Sequence, residues 1–432
     1  MTDQLLQANI RGPLRRILTL LPLLLALLGA WYAVRWFVGN TIAENLNPED
    51  RGLENAQLAL SLAPSDPLAH WTMAELEQSK LSLDESNRAL AEYEQAVRLA
   101  PNDYRFWLSW GRALEQSGDT QRGEQAMRRA VALAPSYSYP RWYLGNLLLR
   151  SGREAEAFKE LRTAGEADPQ LRPQIFTLAW QVYRDNPTEL GKSVGSTPIV
   201  QAEFAKYLLE RGQVESGMNI WRSLSAEEKQ ANRSIAAGSI KTLVDQHQYA
   251  QAIEIVNDFA AREDARVKVD EMQDGGFEKD SNPTFGSVFG WQMKSGLQSQ
   301  AVIDHDLRRS GAGSLKLTFK ARSNVDVSLS QLVAVMPGTQ YEFAGYVKTS
   351  KLESAATPVI EIVDATSGAV LAASPPAPAG YNDWQRFTVA FKTDAKTTGI
   401  LVRVGRASCG ENTSCPIFGT LWYDDFDLKR RG

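Results

Sequence analysis

Histidine and cysteine are nearly missing from this chain of 432 residues: there are three of the first (His70, His247, His305) and two of the second (Cys409, Cys415). They are scattered over segments of different pattern, which excludes a zinc site built from several such ligands. Nor does either charge dominate. Forty-seven Lys and Arg against 51 Asp and Glu leave a net charge of -4, a poor platform for the counterion release that nucleic-acid binding requires. Nucleic acid is therefore not an expected partner. Glycine and proline, 31 and 19 residues, are too few for collagen or a disordered polymer. What remains is ordinary globular composition, 43% hydrophobic and 23% charged. At about 150 residues per domain, the length gives two or three folded units.

Residues 17–34 carry no charge, and the apolar run continues through Trp36, Phe37 and Val38 if Arg35 snorkels toward headgroups. As a helix, 17–38 measures roughly 33 Å, enough for a hydrocarbon core of about 30 Å. Pro22, one turn inside, is tolerated. The competing reading is a cleaved signal peptide. Against it, the run is long for a signal core, and its exit carries Trp31, Tyr32, Trp36 and Phe37 instead of a small-residue cleavage site. An aromatic belt of this kind describes an anchor, with the bilayer as the partner of residues 17–38.

Charge orients the anchor. Arg11, Arg15 and Arg16 precede it against Asp3, whereas Glu44, Glu49, Asp50, Arg51 and Glu54 follow. The positive-inside rule then leaves tail 1–16 in the cytoplasm and the rest of the chain outside, as in a bacterial inner-membrane protein facing the periplasm or exterior. Cys409 and Cys415 bracket Gly-Glu-Asn-Thr-Ser, a spacing that lets the two side chains meet. A disulfide closing so short a loop contributes about 2 kcal/mol and suits an extracytoplasmic compartment; the alternative is two unrelated thiols. The Asn412-Thr413-Ser414 sequon matters only in a pathway that glycosylates asparagine.

Pro64, Pro101, Pro135 and Pro169 each follow Ala or Asp and lie 37, 34 and 34 residues apart, so the chain repeats. Within one unit Trp107, Trp110, Gly111 and Leu114 fall at helical spacing, followed by Gly123, Met127 and Ala130. The next has Leu144, Gly145 and Leu148, then Ala157, Leu161 and Ala164. The spacing predicts helix, turn, helix, with Gly118 and Gly152 in the turns. This pattern of Trp, Leu-Gly, Tyr, Ala, Phe and Pro resembles the tetratricopeptide repeat family. The resemblance weakens after Pro169, although helical pairs continue at 199–210 with 214–224 and at 235–246 with 250–261. It implies a juxtamembrane segment and partial repeat over 39–66 and helical repeats over 67–262, whose groove holds protein partners. Trp71, Trp107, Trp142, Trp180 and Trp221 read as packing between repeats rather than as a ligand surface, and His70 and His247 as packing or surface residues.

After a linker at 263–272 the period changes from helical to alternating. Runs at 313–320, 325–335, 340–348, 358–363, 384–391 and 400–404 alternate apolar and polar residues between turn signals, as half-buried strands do. Eight to eleven strands over 273–432 fit a two-sheet jelly roll. The whole chain is thus multidomain α plus all-β: one transmembrane helix, an α-helical tetratricopeptide-type solenoid and a C-terminal jelly-roll β-sandwich.

Gly275-Gly276-Phe277-Glu278, Trp291, Ser310-Gly311, Ser314-Leu315, Gln331, Pro337-Gly338, Tyr341, Trp384 and Trp422-Tyr423-Asp424-Asp425-Phe426, in this order, resemble the galactose-binding-like sandwiches of carbohydrate-binding module families four, nine and twenty-two. The resemblance implies a structural calcium ion held by Glu278, the backbone near Ser310, and Asp424 or Asp425, hard oxygens of the kind calcium takes. The alternative is that the Asp pair caps a strand end and Glu278 pairs with an Arg. Alternation along the strands turns Tyr346, Lys348, Glu361 and Arg403 away from the apolar face, where they line a glycan-binding face or a solvated one. Asp304-His305-Asp306 reads as a solvent-facing loop.

The expected function is a membrane-anchored extracytoplasmic scaffold, not an enzyme, with a groove for protein and a sandwich for glycan, serving surface polysaccharide assembly or export. A purely structural adaptor without sugar binding is the alternative. A polysaccharide hydrolase using Glu278 and Asp425 is the third reading.

Overall fold

A computed structural model describes residues 13–47, 52–80, 83–279, 287–294, 298–321, 328–407, 409 and 415–431. Residues 1–12 of the expected cytoplasmic tail and the Asn412-Thr413-Ser414 sequon lie outside the described residues. The chain divides into two compact units, Met1–Gly195 and Ser196–Gly432. The helices expected over 67–262 are therefore shared between the units, and the linker 263–272 falls inside the second.

The first unit is helical: α1 (Pro13–Glu44), α2 (Gly52–Leu62), α3 (Pro67–Gln78), α4 (Leu83–Leu99), α5 (Tyr104–Gln116), α6 (Thr120–Leu133), α7 (Ser138–Arg150), α8 (Glu154–Ala167), α9 (Arg172–Tyr183) and α10 (Pro187–Val194). Successive helices pair through short turns. The Asp103 carboxylate accepts the Arg105 N–H at 2.9 Å to start α5, and Gly118 ends the same helix in the left-handed region, at φ 94°. Gly111 lets α5 and α6 touch: a Cβ there would stand 2.8 Å from Met127 Cγ and 3.0 Å from the Gly123 carbonyl. Around that contact Ala126, Met127, Ala130, Leu144 and Leu148 are buried, each buried Leu contributing about 1.5–3 kcal/mol. α1 is the one helix among the described residues long and apolar enough to cross a membrane.

The second unit begins with α11 (Pro198–Glu210), α12 (Val214–Ser223), α13 (Ala226–Ala231), α14 (Arg233–Asp245) and α15 (Tyr249–Asn257). Its strands are β1 (Gln292–Lys294), β2 (Ser299–Asp304), β3 (Ser314–Ala321), β4 (Ser328–Ala334), β5 (Gln340–Glu353), β6 (Pro358–Asp364), β7 (Val370–Ala373), β8 (Gly380–Lys392), β9 (Gly399–Arg406) and β10 (Ile417–Arg430). They form two antiparallel five-stranded sheets, ordered β1-β4-β9-β6-β7 and β2-β3-β10-β5-β8. Phe319, Phe343, Val347, Tyr423 and Phe426 from one sheet meet Val333, Ile360, Ile362 and Val402 from the other in one core. The strand alternation follows directly from that burial.

The helices and the first sheet share a second core. Leu243, Tyr249, Ile253 and Val256 pack with Val267, Phe289, Leu332 and Ala334. The Tyr249 ring lies against Gly399, where any Cβ would run into it. The turn before it departs from its counterparts. Gly118, Gly152 and Gly212 hold positive φ in the earlier helical turns, but His247 takes that place at φ 59°. Its carbonyl accepts the Thr398 hydroxyl at 2.9 Å, and its ring Nδ1 lies 2.8 Å from the Tyr249 hydroxyl. Residues 263–272 are likewise built in: the Asp270 N–H donates to the Ala334 carbonyl at 2.8 Å. The buried Asp270 carboxylate accepts the Tyr341 hydroxyl at 2.5 Å and the Met336 N–H at 3.2 Å, and pairs with Arg430.

Candidate functional site

In the first unit, α3, α5 and α7 present their side chains along one surface. Between α5 and α7 lies an open cavity of about 630 Å³ lined by Arg112, Glu115, Trp142, Tyr143, Asn146 and Arg150. A smaller one of about 290 Å³, between α3 and α5, is lined by Glu75, Gln78, Ser109 and Arg112. The walls are polar and pre-set. The Arg112 guanidinium sits 4.3 Å above the Tyr143 ring, Arg150 pairs with Glu115 at 2.6 Å, and the Tyr93 hydroxyl donates to Glu75 at 2.8 Å. Burial pushes the Tyr93 hydroxyl far above its usual range, with the Glu75 carboxylate adding to the shift, so it stays a donor. Arg stacked on Tyr beside amides and carboxylates suits a peptide, whose backbone needs donors and acceptors and whose side chains need apolar contact. Of the five tryptophans read as packing, Trp221 is fully buried and Trp71, Trp107, Trp142 and Trp180 are half-buried.

His70 is held between repeats. Its Nδ1 lies 2.5 Å from Glu92 and its Nε2 lies 3.0 Å from the Pro64 carbonyl. Burial opposes the charged form, but the Glu92 and Pro64 acceptors outweigh it and raise the imidazole above its usual value.

The four residues expected to form one glycan face are not brought together. Tyr346 and Lys348 stand on β5, out of phase with buried Phe343 and Val347. They belong to the outer face of the sheet β2-β3-β10-β5-β8. Glu361 on β6 and Arg403 on β9 are register partners on the outer face of the other sheet, joined by an ion pair of 2.7 Å. The expectation of one face is corrected here: a period of two fixes which way a residue points along its strand, but not to which sheet the strand belongs.

Around Tyr346 and Lys348 the sheet carries residues that sequence reasoning missed as a group. The Arg309 guanidinium covers the Tyr346 ring at 3.6 Å, and Lys348 pairs with Asp383 at 2.7 Å. Trp422 neighbours Lys348 in register and donates its indole N–H to Asp304 at 2.9 Å; Lys316 pairs with the same carboxylate at 3.0 Å. Burial works against the Asp304 charge, but the Trp422 and Lys316 donors and the N–H groups of Asp306 and Leu307 bring its carboxyl down to about 2. Asp304 is thus an anchor for Trp422, where the sequence suggested a solvent-facing loop. The in-and-out alternation at the centre of β10 was the available signal, since Leu421 and Tyr423 face the core and Trp422 and Asp424 share the other face.

Glu278, Ser310, Asp424 and Asp425 do converge. The fully buried Asp424 accepts the N–H groups of Arg309 at 2.8 Å, Ser310 at 3.2 Å and Asp425 at 2.7 Å. Burial pushes its carboxyl up, against those three donors. Asp425 takes the Ser310 hydroxyl at 2.6 Å and pairs with Arg309, and Glu278 takes the Ala312 N–H. Loop N–H groups and a guanidinium stand where calcium wants oxygens, and among the described residues no cluster of three or more metal-ligating side chains occurs. The arrangement fits a clamp on loop 309–312 and does not fit the ion. Cys409 and Cys415 are joined as a disulfide with Cα atoms 5.5 Å apart, and the Arg406 guanidinium donates to the Cys415 carbonyl at 3.2 Å.

The tetratricopeptide repeat family model matches residues 78–138 and 111–171. No curated protein matches the chain. Among solved structures, MamA from Desulfovibrio magneticus RS-1 is 16% identical over 43% of this chain and 97% of its own, at a TM-score of 0.32. PilF of Pseudomonas aeruginosa is 17% identical over 51% and 98%, also at 0.32. The N-terminal endo-1,4-beta-D-xylanase 10B of Clostridium thermocellum, with its CBM22-1 and GH10 modules and xylohexaose, is 16% identical over 38% of this chain and 29% of that one, at 0.26. The helical hairpins of residues 78–171 are tetratricopeptide repeats, the architecture of protein-interaction scaffolds.

Proposed function

We propose that this chain is a membrane-anchored extracytoplasmic scaffold that holds a partner polypeptide in the groove of α3, α5 and α7. The open cavity between α5 and α7, with Arg112 stacked on Tyr143, is the observation that carries this reading. A photo-crosslinking residue in place of Asn146, in the full-length chain in its own membranes, is expected to give one adduct of defined mass that Arg112→Glu removes. An adduct pattern indifferent to Arg112→Glu contradicts the reading.

The second part of the proposal is glycan contact, as in surface polysaccharide assembly or export, at the sheet face of Tyr346, Lys348 and Trp422. Arg309 covers the Tyr346 ring in the structure, so this reading needs the guanidinium to swing aside and bare a flat aromatic flanked by charged side chains, which is what a sugar ring needs. With the full-length chain in lipid discs on a glycan array, Tyr346→Ala should abolish binding and Arg403→Ala should keep it. No signal from the folded chain would favour the purely structural adaptor. The hydrolase reading has little behind it, because Glu278 and Asp425 are both engaged in holding loop 309–312.

A further inference from the structure

The apolar helix does not end where the repeats begin. The last turns of α1 pack on α2 as the first member of a helical pair: Gly39 lies so close that a Cβ would stand 2.7 Å from Ala63 Cβ and 2.9 Å from the Ala59 carbonyl. Ala43, Ala59 and Ala69 close the contact. Asn40 donates to Asp66 at 3.0 Å, the Tyr32 hydroxyl lies 3.2 Å from Ser65 Oγ, and Arg35 donates to the Ser61 carbonyl. Arg35 is therefore already engaged by protein instead of reaching freely for headgroups.

A hydrocarbon core of about 30 Å takes about 20 residues. Counted from Ile17, the first residue after Arg15 and Arg16, such a span uses Tyr32 and Arg35. The last turn of α2 and the turn after it, which bond them through the Ser61 carbonyl and Ser65, then lie at the depth of the span's last turns, in the headgroup region. In a chain of paired antiparallel helices, the turns after α4 and α6 fall on the same edge as this one. All three share one geometry: Asp66, Asp103 and Tyr137 donate their N–H groups to the carbonyls of Ala63, Ala100 and Ala134 at 3.0, 3.1 and 3.2 Å.

The chemistry of that edge is distinctive. Leu99, Tyr137 and Tyr139 are exposed there beside Ser65, Asn102 and Ser136, and the Tyr104 and Tyr137 rings lie 5.1 Å apart. On the opposite edge the turns after α5 and α7 consist of Gln, Ser, Gly, Asp and Arg. Tyr137 is the sharpest departure. Asp66 and Asp103 cap α3 and α5 with their carboxylates, but at the same position before α7 Tyr137 makes no side-chain cap. A helix cap has been given up for an exposed amphipathic ring of the kind enriched at bilayer interfaces.

We infer that the edge formed by the turns after α2, α4 and α6 is a second membrane contact, which seats the repeats against the lipid surface instead of leaving them on a tether. This rests on the reading of α1 as a membrane span. The test uses the full-length chain in vesicles of equal parts phosphatidylcholine and phosphatidylglycerol, with single introduced cysteines carrying a fluorophore and nitroxide lipids as quenchers. A label at Leu25→Cys should be quenched by a deep nitroxide. Labels at Ser65→Cys and Ser136→Cys should lose most of their emission to a shallow one, and a label at Ser117→Cys, on the opposite edge, should lose none. Quenching at Leu25 with Ser65 and Ser136 no different from Ser117 overturns the edge and leaves the span standing, whereas no quenching at Leu25 removes both.

Two substitutions separate contact from folding. Tyr137→Asp restores the cap and should raise the Tm while reducing quenching at Ser136; unchanged quenching would overturn the role given to the ring. Gly39→Leu should part α1 from α2, so that Ser65 loses its quenching and Leu25 keeps it. Retained quenching at Ser65 in that variant would contradict the seating.

Discussion

The hairpins α5–α6 and α14–α15 are the same supersecondary unit put to different ends. In the first, Gly111 joins the helices and the outward surface of α5 stays open beside Arg112 and Glu115. In the second, the outward surface is closed: Tyr249 lies on Gly399, and His247 replaces the turn glycine and bonds Thr398. A repeat surface is available to a partner only while nothing in its own chain covers it, so the groove is to be sought in the first unit. The last pair has become part of the sandwich.

The comparison breaks most severely at Asp270. Asp270→Ala leaves the buried Tyr341 hydroxyl and the Met336 N–H without their acceptor, at about 1–3 kcal/mol each, and frees the solvent-exposed Arg430 guanidinium; chemical denaturation of the full-length chain should show it in the transition that reports the sandwich. Tyr249→Ala empties the contact between α15 and β9 and should cost about 3 kcal/mol in the same transition. Gly111→Val forces α5 from α6 and should cost about 2 kcal/mol, read by far-ultraviolet circular dichroism, with the sandwich unaffected. If Tyr249→Ala shifted the same transition as Gly111→Val, the division of roles between the two hairpins would be lost.

Smaller effects sharpen the picture of the sheet face. The carboxyl of Asp304 is lowered, so its stabilisation is full above the unfolded value of about 4 and is lost as pH falls through about 2. Asp304→Asn should therefore be less stable than the native chain at neutral pH and nearly equal to it at the acid end, with the difference below about 1 kcal/mol because the ion pair is partly solvated. Added calcium should leave the Tm unchanged. A shift that Asp425→Ala abolishes would mean that the loop clamp opens to admit the ion.

Much of this was legible in the residues. The 34-residue period with Gly111, Gly145, Ala130 and Ala164 at fixed places announces paired helices, since only small residues allow such approach. Alternation announces the strands at 340–348 and 400–404 because half-buried sheets impose it. Asp270 was not legible, for it sits in a charged stretch that reads as linker, and its partners Tyr341 and Arg430 come from distant strands. The split of Tyr346 and Lys348 from Glu361 and Arg403 was hidden for the same reason: sheet order is a long-range property that local periodicity does not carry. Arg309 over Tyr346 depends on a loop clamped by Asp424 and Asp425, which the resemblance to carbohydrate-binding modules assigns to an ion.

Hydrogen exchange on the full-length chain in lipid discs tests most directly the claim that α15 belongs to the sandwich and leaves α5–α8 as the open surface. Amides of α15 should become exchangeable together with those of β4 and β9 at one denaturant concentration, and Tyr249→Ala should bring that concentration down for all three at once. If α15 instead opened with α5–α8 while β4 and β9 stayed protected, the account would be contradicted.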